Sequence, residues 1–141
     1  MKHENEIHFF HDFEPPTTTF QARNSRWRPT PAARKAMATW QAVLEQYKPA
    51  EPLKGPVRLV IEFYFTGKHE VRGNHDATMY RTSKPDLDNL LKGMLDICTK
   101  LAYWQDDAQI VSIRVEKCTS GLPGVYFRAK AISAEVDCED E

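Results

Sequence analysis

Asp86 and Asp88 stand two residues apart in Lys84-Pro-Asp-Leu-Asp-Asn-Leu90, and Asp107, the second acid of Asp106-Asp107, follows Asp86 by 21 residues. Carboxylates gathered side by side repel one another unless a cation lies among them. A hard divalent ion such as Mg²⁺ takes oxygen ligands, a few carboxylates with water completing the shell. The chemistry open to such a set is metal-assisted reaction at a phosphate. Lys92, four residues after Asp88, would supply positive charge beside it.

The elements around these residues decide whether they can meet. Leu87, Leu90, Leu91, Met94, Leu95, Cys98 and Leu101 repeat at helical spacing and predict a helix from Leu87 to Leu101. At about 100° per residue, Asp88 and Lys92 then fall on neighbouring lines, one turn apart, at the edge of the apolar stripe. Asp86 lies before the helix, extended or capping, and can turn toward Asp88. Asp107 arrives with the following strand and joins the other two only where the chain folds back over the helix.

Each piece also has an ordinary explanation. Ser83-Lys-Pro-Asp86 has the capping-box pattern, and acids in a first helical turn are favoured by the macrodipole. Asp88 and Lys92 can be a plain surface pair, and Asp106-Asp107 a turn.

The rest of the chain predicts a scaffold for one domain. Ile7 to Phe13 reads as a short strand, and Pro31 to Tyr47 as a helix with Pro31 at its first position. In Val57 to Phe65 every second residue is apolar, the pattern of a strand with one buried face. Val60 and Tyr64 suggest that its other face is partly covered too, by a helix. Gly67 to Thr82 reads as a long polar loop, of a length that is often functional. Gln109–Lys117 and Val125–Ile132 read as strands joined by Ser120-Gly-Leu-Pro-Gly124, an antiparallel pair. The expected fold class is α+β: a single domain over residues 1–134, two main helices on a small mixed sheet, with an acidic, disordered tail over 135–141.

Composition fits a globular protein, with 41% apolar residues and no run of about 18 apolar residues that would span a membrane. The N-terminus lacks the basic-then-apolar pattern of a secretory signal, so a cytoplasmic location is expected. Net charge is −1, but the tail holds five acids and no base. Without it, residues 1–134 carry 19 bases against 15 acids, a net of +4. The local distribution is therefore the better guide to partners.

The two carboxylate segments, Lys84-Pro-Asp-Leu-Asp-Asn-Leu90 with Lys92 and Tyr103-Trp-Gln-Asp-Asp-Ala-Gln-Ile110, resemble the signature segments of the RusA family of Holliday junction resolvases. Pro15-Pro-Thr-Thr-Thr-Phe-Gln21, Gly55-Pro-Val-Arg-Leu59 and Leu122-Pro-Gly-Val-Tyr-Phe127 resemble segments of phage- and prophage-borne RusA-like proteins. The resemblance covers most of residues 7–132. It implies that Asp86, Asp88 and Asp107 are metal-binding aspartates and Lys92 a catalytic lysine. It also implies a homodimer that nicks opposing strands of a four-way DNA junction in recombination and repair. One or two Mg²⁺ per subunit would serve, with Mn²⁺ able to substitute. The acidic tail and the 67–82 loop depart from the family pattern and leave substrate choice open.

Arg23, Arg26, Trp27 and Arg28 combine charge with an aromatic, as an arm that grips phosphates and stacks on an exposed base would, or as a solvated loop would. Lys84 joins these arginines as a DNA-binding candidate. His8 and His11, or His69, His75 and Asp76, lack zinc-site spacing; His75 or Lys68 could contact DNA from the loop. Trp40 and Trp104 read as packing residues, Cys98 as a small apolar helix residue, and Cys118 and Cys138 as reduced thiols. Three other classes stay open: a branched-DNA-binding protein with little catalysis, a nucleotide-sugar transferase using Asp86-Leu-Asp88, and a nuclease that prefers flaps or forks.

Overall fold

The computed structural model describes residues 5–67 and 78–136. Lys68, His69, His75 and Asp76, Cys138, and the tail beyond residue 136 lie outside the described residues. Among the described residues five strands form one mixed sheet in the order β1-β5-β2-β4-β3: β1 Glu6–Asp12, β2 Val57–Phe65, β3 Met79–Tyr80, β4 Ile110–Thr119 and β5 Gly124–Ala131. Two helices, α1 Pro31–Glu45 and α2 Leu87–Lys100, complete the expected α+β domain.

β2 takes the centre, between β5 and β4. Val57, Leu59, Ile61, Phe63 and Phe65 are fully buried, and both helices pack on that face. Trp40 of α1 meets Phe63 edge-on at 5.6 Å. From the end of α2, Tyr103 donates its hydroxyl to Leu44 O at 2.6 Å and ties the turn after α2 to α1. Thr30 caps α1, accepting from Ala33 N at 3.1 Å, with Pro31 at the first helical position. Trp40, Trp104 and Cys98 are core residues, as read from the sequence, and Cys118 is a buried free thiol. His11 meets the Tyr47 hydroxyl at 2.7 Å.

Two expectations fail. β4 and β5 are not partners: β4 runs parallel to β2 on one side, and β5 runs antiparallel to β2 on the other. Ser120–Pro123 must therefore step over one strand, a gap of about 9.6 Å that four residues can span. Val60 and Tyr64 lie on the sheet face opposite the helices. Among the described residues no helix covers them; Tyr64 packs against Phe10 and donates to Glu62 at 2.6 Å.

β3 lies within the segment read as a loop, and pairs only with Cys118 and Thr119 of β4. Among the described residues no helix is long and apolar enough to cross a membrane.

Candidate active site

Asp86 is the N-cap of α2, in extended conformation, yet its side chain makes no capping hydrogen bond. A cap would normally spend that carboxylate on the first amides of the helix; here it is left free for other partners. Asp88 follows in the first turn, and both side chains are exposed. The positive end of the helix dipole favours two acids at this point.

The segment before α2 is held from the sheet. Lys117 sits on the helix-facing side of β4, beside Phe63 of β2. Its Nζ donates to Ser83 O at 2.6 Å and to Pro85 O at 2.7 Å, across a stretch that contains the cis Lys84–Pro85 bond. Arg81 donates to Lys84 O at 2.9 Å and lies 5.0 Å over the Phe65 ring. Lys84 pairs with Asp86 at 2.9 Å, an exposed contact of small energetic weight. Burial pushes the Lys117 ammonium below the ordinary lysine range; Asp86 acts against that shift, and Arg81 and Lys84 add to it. Lys92 lies one turn beyond Asp88, exposed, and makes no ion pair with it among the described residues. Two carboxylates are thus bordered by four cations, an arrangement suited to a polyanion bridged by a metal.

Asp107 is positioned by a different device. It opens a short 3-10 helix, Asp107–Gln109, whose N-cap Asp106 accepts from Ala108 N at 2.9 Å. The Gln109 side chain accepts from Gln105 N and Asp106 N and donates to Leu53 O and Gly55 O. Asp106 is therefore spent on the turn, while Asp107 is left exposed.

The three carboxylates do not meet within one chain. The chain does fold back over α2, but only a short turn separates that helix from β4, so Asp107 sits beside the C-terminal end of α2. Asp86 and Asp88 mark the other end. Fourteen helical residues put roughly 20 Å between the ends. Among the described residues no group of three or more His, Cys, Asp or Glu is placed to hold a metal ion.

Arg23, Arg26 and Arg28 belong to a small hairpin. Arg23 and Pro29 form a bridge, and Asn24 and Arg28 close the turn with a backbone bond of 2.9 Å. The guanidinium of Arg23 is used within the arm, on the carbonyls of Phe20 and Ala22. Arg26 and Arg28 are exposed, with no side-chain partner among the described residues. The arm docks on α2 through Phe20, whose ring lies against Gly93, the residue after Lys92. A Cβ there would stand 2.6 Å from the ring.

Lys117 and Arg81 were not singled out from the sequence. One signal was available: in Ile113-Arg-Val-Glu-Lys117 the lysine occupies the apolar phase of its strand, where a charge needs a buried reason.

The family model for Endodeoxyribonuclease RusA matches residues 12–129, spanning both carboxylate segments and the arm. A protein of Lactococcus phage r1t named crossover junction endodeoxyribonuclease rusA is 38% identical over 79 residues, 55% of this chain and 57% of the phage protein. YqaN of Bacillus subtilis (strain 168), an uncharacterized protein, is 30% identical over 99 residues, 65% of this chain and 69% of YqaN. Crossover junction endodeoxyribonuclease RusA of Escherichia coli K12 is 56% identical over 32 residues, 23% of this chain and 27% of that protein. The chain thus spans a little over half the length of the phage relative it matches.

Proposed function

The chain belongs to the RusA family of endodeoxyribonucleases, and from that premise we propose that it cuts branched DNA, a four-way junction first, by metal-assisted hydrolysis of phosphodiester bonds in opposing strands. The observation that carries this reading is the Asp86–Asp88 pair, exposed at a helix start and unused for capping, with Arg81, Lys84, Lys92 and Lys117 around it. Recombination and repair of cellular or phage DNA in the cytoplasm is the setting proposed.

The donor set fits a hard divalent ion. All three aspartates offer oxygen, and Mg²⁺ is commonly held by only one or two protein carboxylates plus phosphate oxygens and water. When bound, one or two Mg²⁺ or Mn²⁺ supply Lewis-acid activation of water and charge neutralisation at the phosphate and leaving oxygen. Asp86 and Asp88 are the ligands at the start of α2. Lys92 sets an ammonium against the negative charge that develops on the phosphate. Lys84, Arg26 and Arg28 hold flanking phosphates and so fix the strand's register.

Asp107 enters this scheme through a second copy of the chain. β3 covers only the end of β4, so the outer edge from Ile110 to about Glu116 carries backbone groups with no strand partner among the described residues. Val111 is 60% exposed there and Ile113 43%. An open edge with apolar side chains is a template for another strand. A second β4 added antiparallel along it would bring the start of that strand, with its Asp107, beside the end of the first. There Lys117 holds the carbonyls of Ser83 and Pro85, just before Asp86. The homodimer then completes two sites, one for each strand of a symmetric junction.

The test is cleavage of a four-way junction, a fork and a linear duplex, each with and without Mg²⁺. Paired nicks in the junction, dependent on the metal, are expected. Tight junction binding without cuts would make the protein a binder, and preferential cutting of the fork would make it a flap or fork nuclease.

A further inference from the structure

We propose that Trp27 is a stacking residue, taking a nucleobase splayed out at the branch point while Arg26 and Arg28 hold the phosphates on either side; this rests on the branched-DNA reading above. Trp27 is 83% exposed, whereas Trp40 and Trp104 are 2% and 0% exposed. Burial removes an indole from water in most proteins, so a tryptophan offered to solvent needs a reason.

Its exposure is imposed by the turn. Trp27 has φ 59°, a left-handed conformation that bulky residues rarely adopt. The turn is held by Trp27 N to Asn24 O at 3.0 Å and Asn24 N to Arg28 O at 2.9 Å. The Asn24 side chain accepts from Arg26 N at 2.9 Å and Arg28 N at 3.1 Å. Arg34 braces the base of the arm by donating to Pro29 O at 2.8 Å. The indole is thus presented by an ordered tip, and little conformational freedom is lost when it stacks.

The surroundings select a polyanion. Residues 15–44 contain five bases and no acid. A flat aromatic between arginines that have no side-chain partner among the described residues matches the stacking platforms of proteins that bind single-stranded nucleic acid. A continuous duplex offers no free base face, whereas a branch point, where stacking is interrupted, does. The arm's foot is Phe20 on Gly93, next to Lys92, so a base taken by Trp27 lies on a strand passing the proposed cutting site.

Because the other two tryptophans are buried, Trp27 is its own reporter. The Asp88→Asn chain, expected to leave DNA uncut, is titrated with a four-way junction and with linear duplex of the same sequence. Tryptophan emission and gel mobility are read together. The junction is expected to quench the emission and the duplex to leave it nearly unchanged. Trp27→Ala should lose the quench and weaken junction binding roughly 5- to 150-fold, with duplex binding unaltered. Trp27→Phe should keep most of the affinity. A junction that binds with unchanged emission, equal quenching by duplex, or Trp27→Ala binding like the parent would overturn the stacking role and leave the nuclease reading standing. Failure to bind either DNA would bring down both.

Discussion

Asp86 begins the helix beyond whose far end Asp107 lies, and neither carboxylate is spent on its own turn. That relationship separates chemistry from scaffold in both segments. Asp106 and Gln109 do the capping beside Asp107, and Lys117 holds the carbonyls that precede Asp86.

Asp88→Asn removes a negative oxygen donor without changing shape. Junction binding should stay within about 3-fold of the parent, and metal-dependent nicking should fall at least about 100-fold. Unchanged nicking would remove Asp88 from the metal set.

The β4 edge gives a prediction about assembly. Val111→Lys with Ile113→Glu should leave a folded chain, since neither side chain belongs to the buried core. Sedimentation should then report a monomer, with nicking lost at concentrations where the parent cuts. A dimer of parental affinity would move the interface elsewhere.

Lys117→Met tests how the start of α2 is held. Two charge-assisted bonds disappear from a partly exposed site, and a cost of about 1–2 kcal/mol is expected in urea unfolding. Nicking should fall about 10-fold or more through misplacement of Asp86. A variant of parental stability and activity would show that the brace is dispensable.

Gly93→Ala sets two effects against each other. Alanine favours the helix by about 1 kcal/mol, but its Cβ would stand 2.6 Å from the Phe20 ring, and overpacking costs about 1–3 kcal/mol. A net loss near 1 kcal/mol is expected, with weaker junction binding as the arm shifts. A more stable protein would mean that Phe20 moves aside without strain.

Alkaline stability follows from buried phenols and thiols. Burial raises Tyr103, Tyr64, Cys98 and Cys118 above their ordinary ranges, with Glu62 adding to the rise at Tyr64. A group whose folded pKa is raised stabilises fully below its unfolded value, about 8.5 for a thiol and 10 for a phenol. That contribution is lost as pH climbs toward the folded value. Thermal unfolding should be insensitive to these groups near neutrality and fall steeply above about pH 9. Tyr103→Phe should cost about 1 kcal/mol at pH 7, since the hydroxyl's bond to Leu44 O is lost while Tyr47 N still donates there, and should flatten the alkaline slope.

Local pattern was legible in the sequence and neighbourhood was not. β2 runs from Val57 to Phe65 as its alternation predicts, and α2 starts at Leu87 as its apolar stripe predicts. Alternation names the buried face of a strand but not the strand beside it, so the sequence pairs β4 with β5, whereas β2 lies between them. The site divides in the same way. Asp86 and Asp88 belong together by spacing, while the position of Asp107 depends on the turn after α2, held by the Gln109 side chain on Leu53 and Gly55. The left-handed Trp27 left no mark beyond Asn24, a residue that readily starts such turns.

The completion of each metal site by two copies of the chain is tested most directly by mixing two inactive variants, Asp88→Asn and Asp107→Asn, under conditions that exchange subunits. In the mixed dimer one site keeps Asp86 and Asp88 from one copy and Asp107 from the other. Metal-dependent nicking of a four-way junction should return, to about a quarter of the parental rate by random pairing, and on one strand at a time. A mixture as inactive as each variant alone would place all three carboxylates in the same chain and contradict the account.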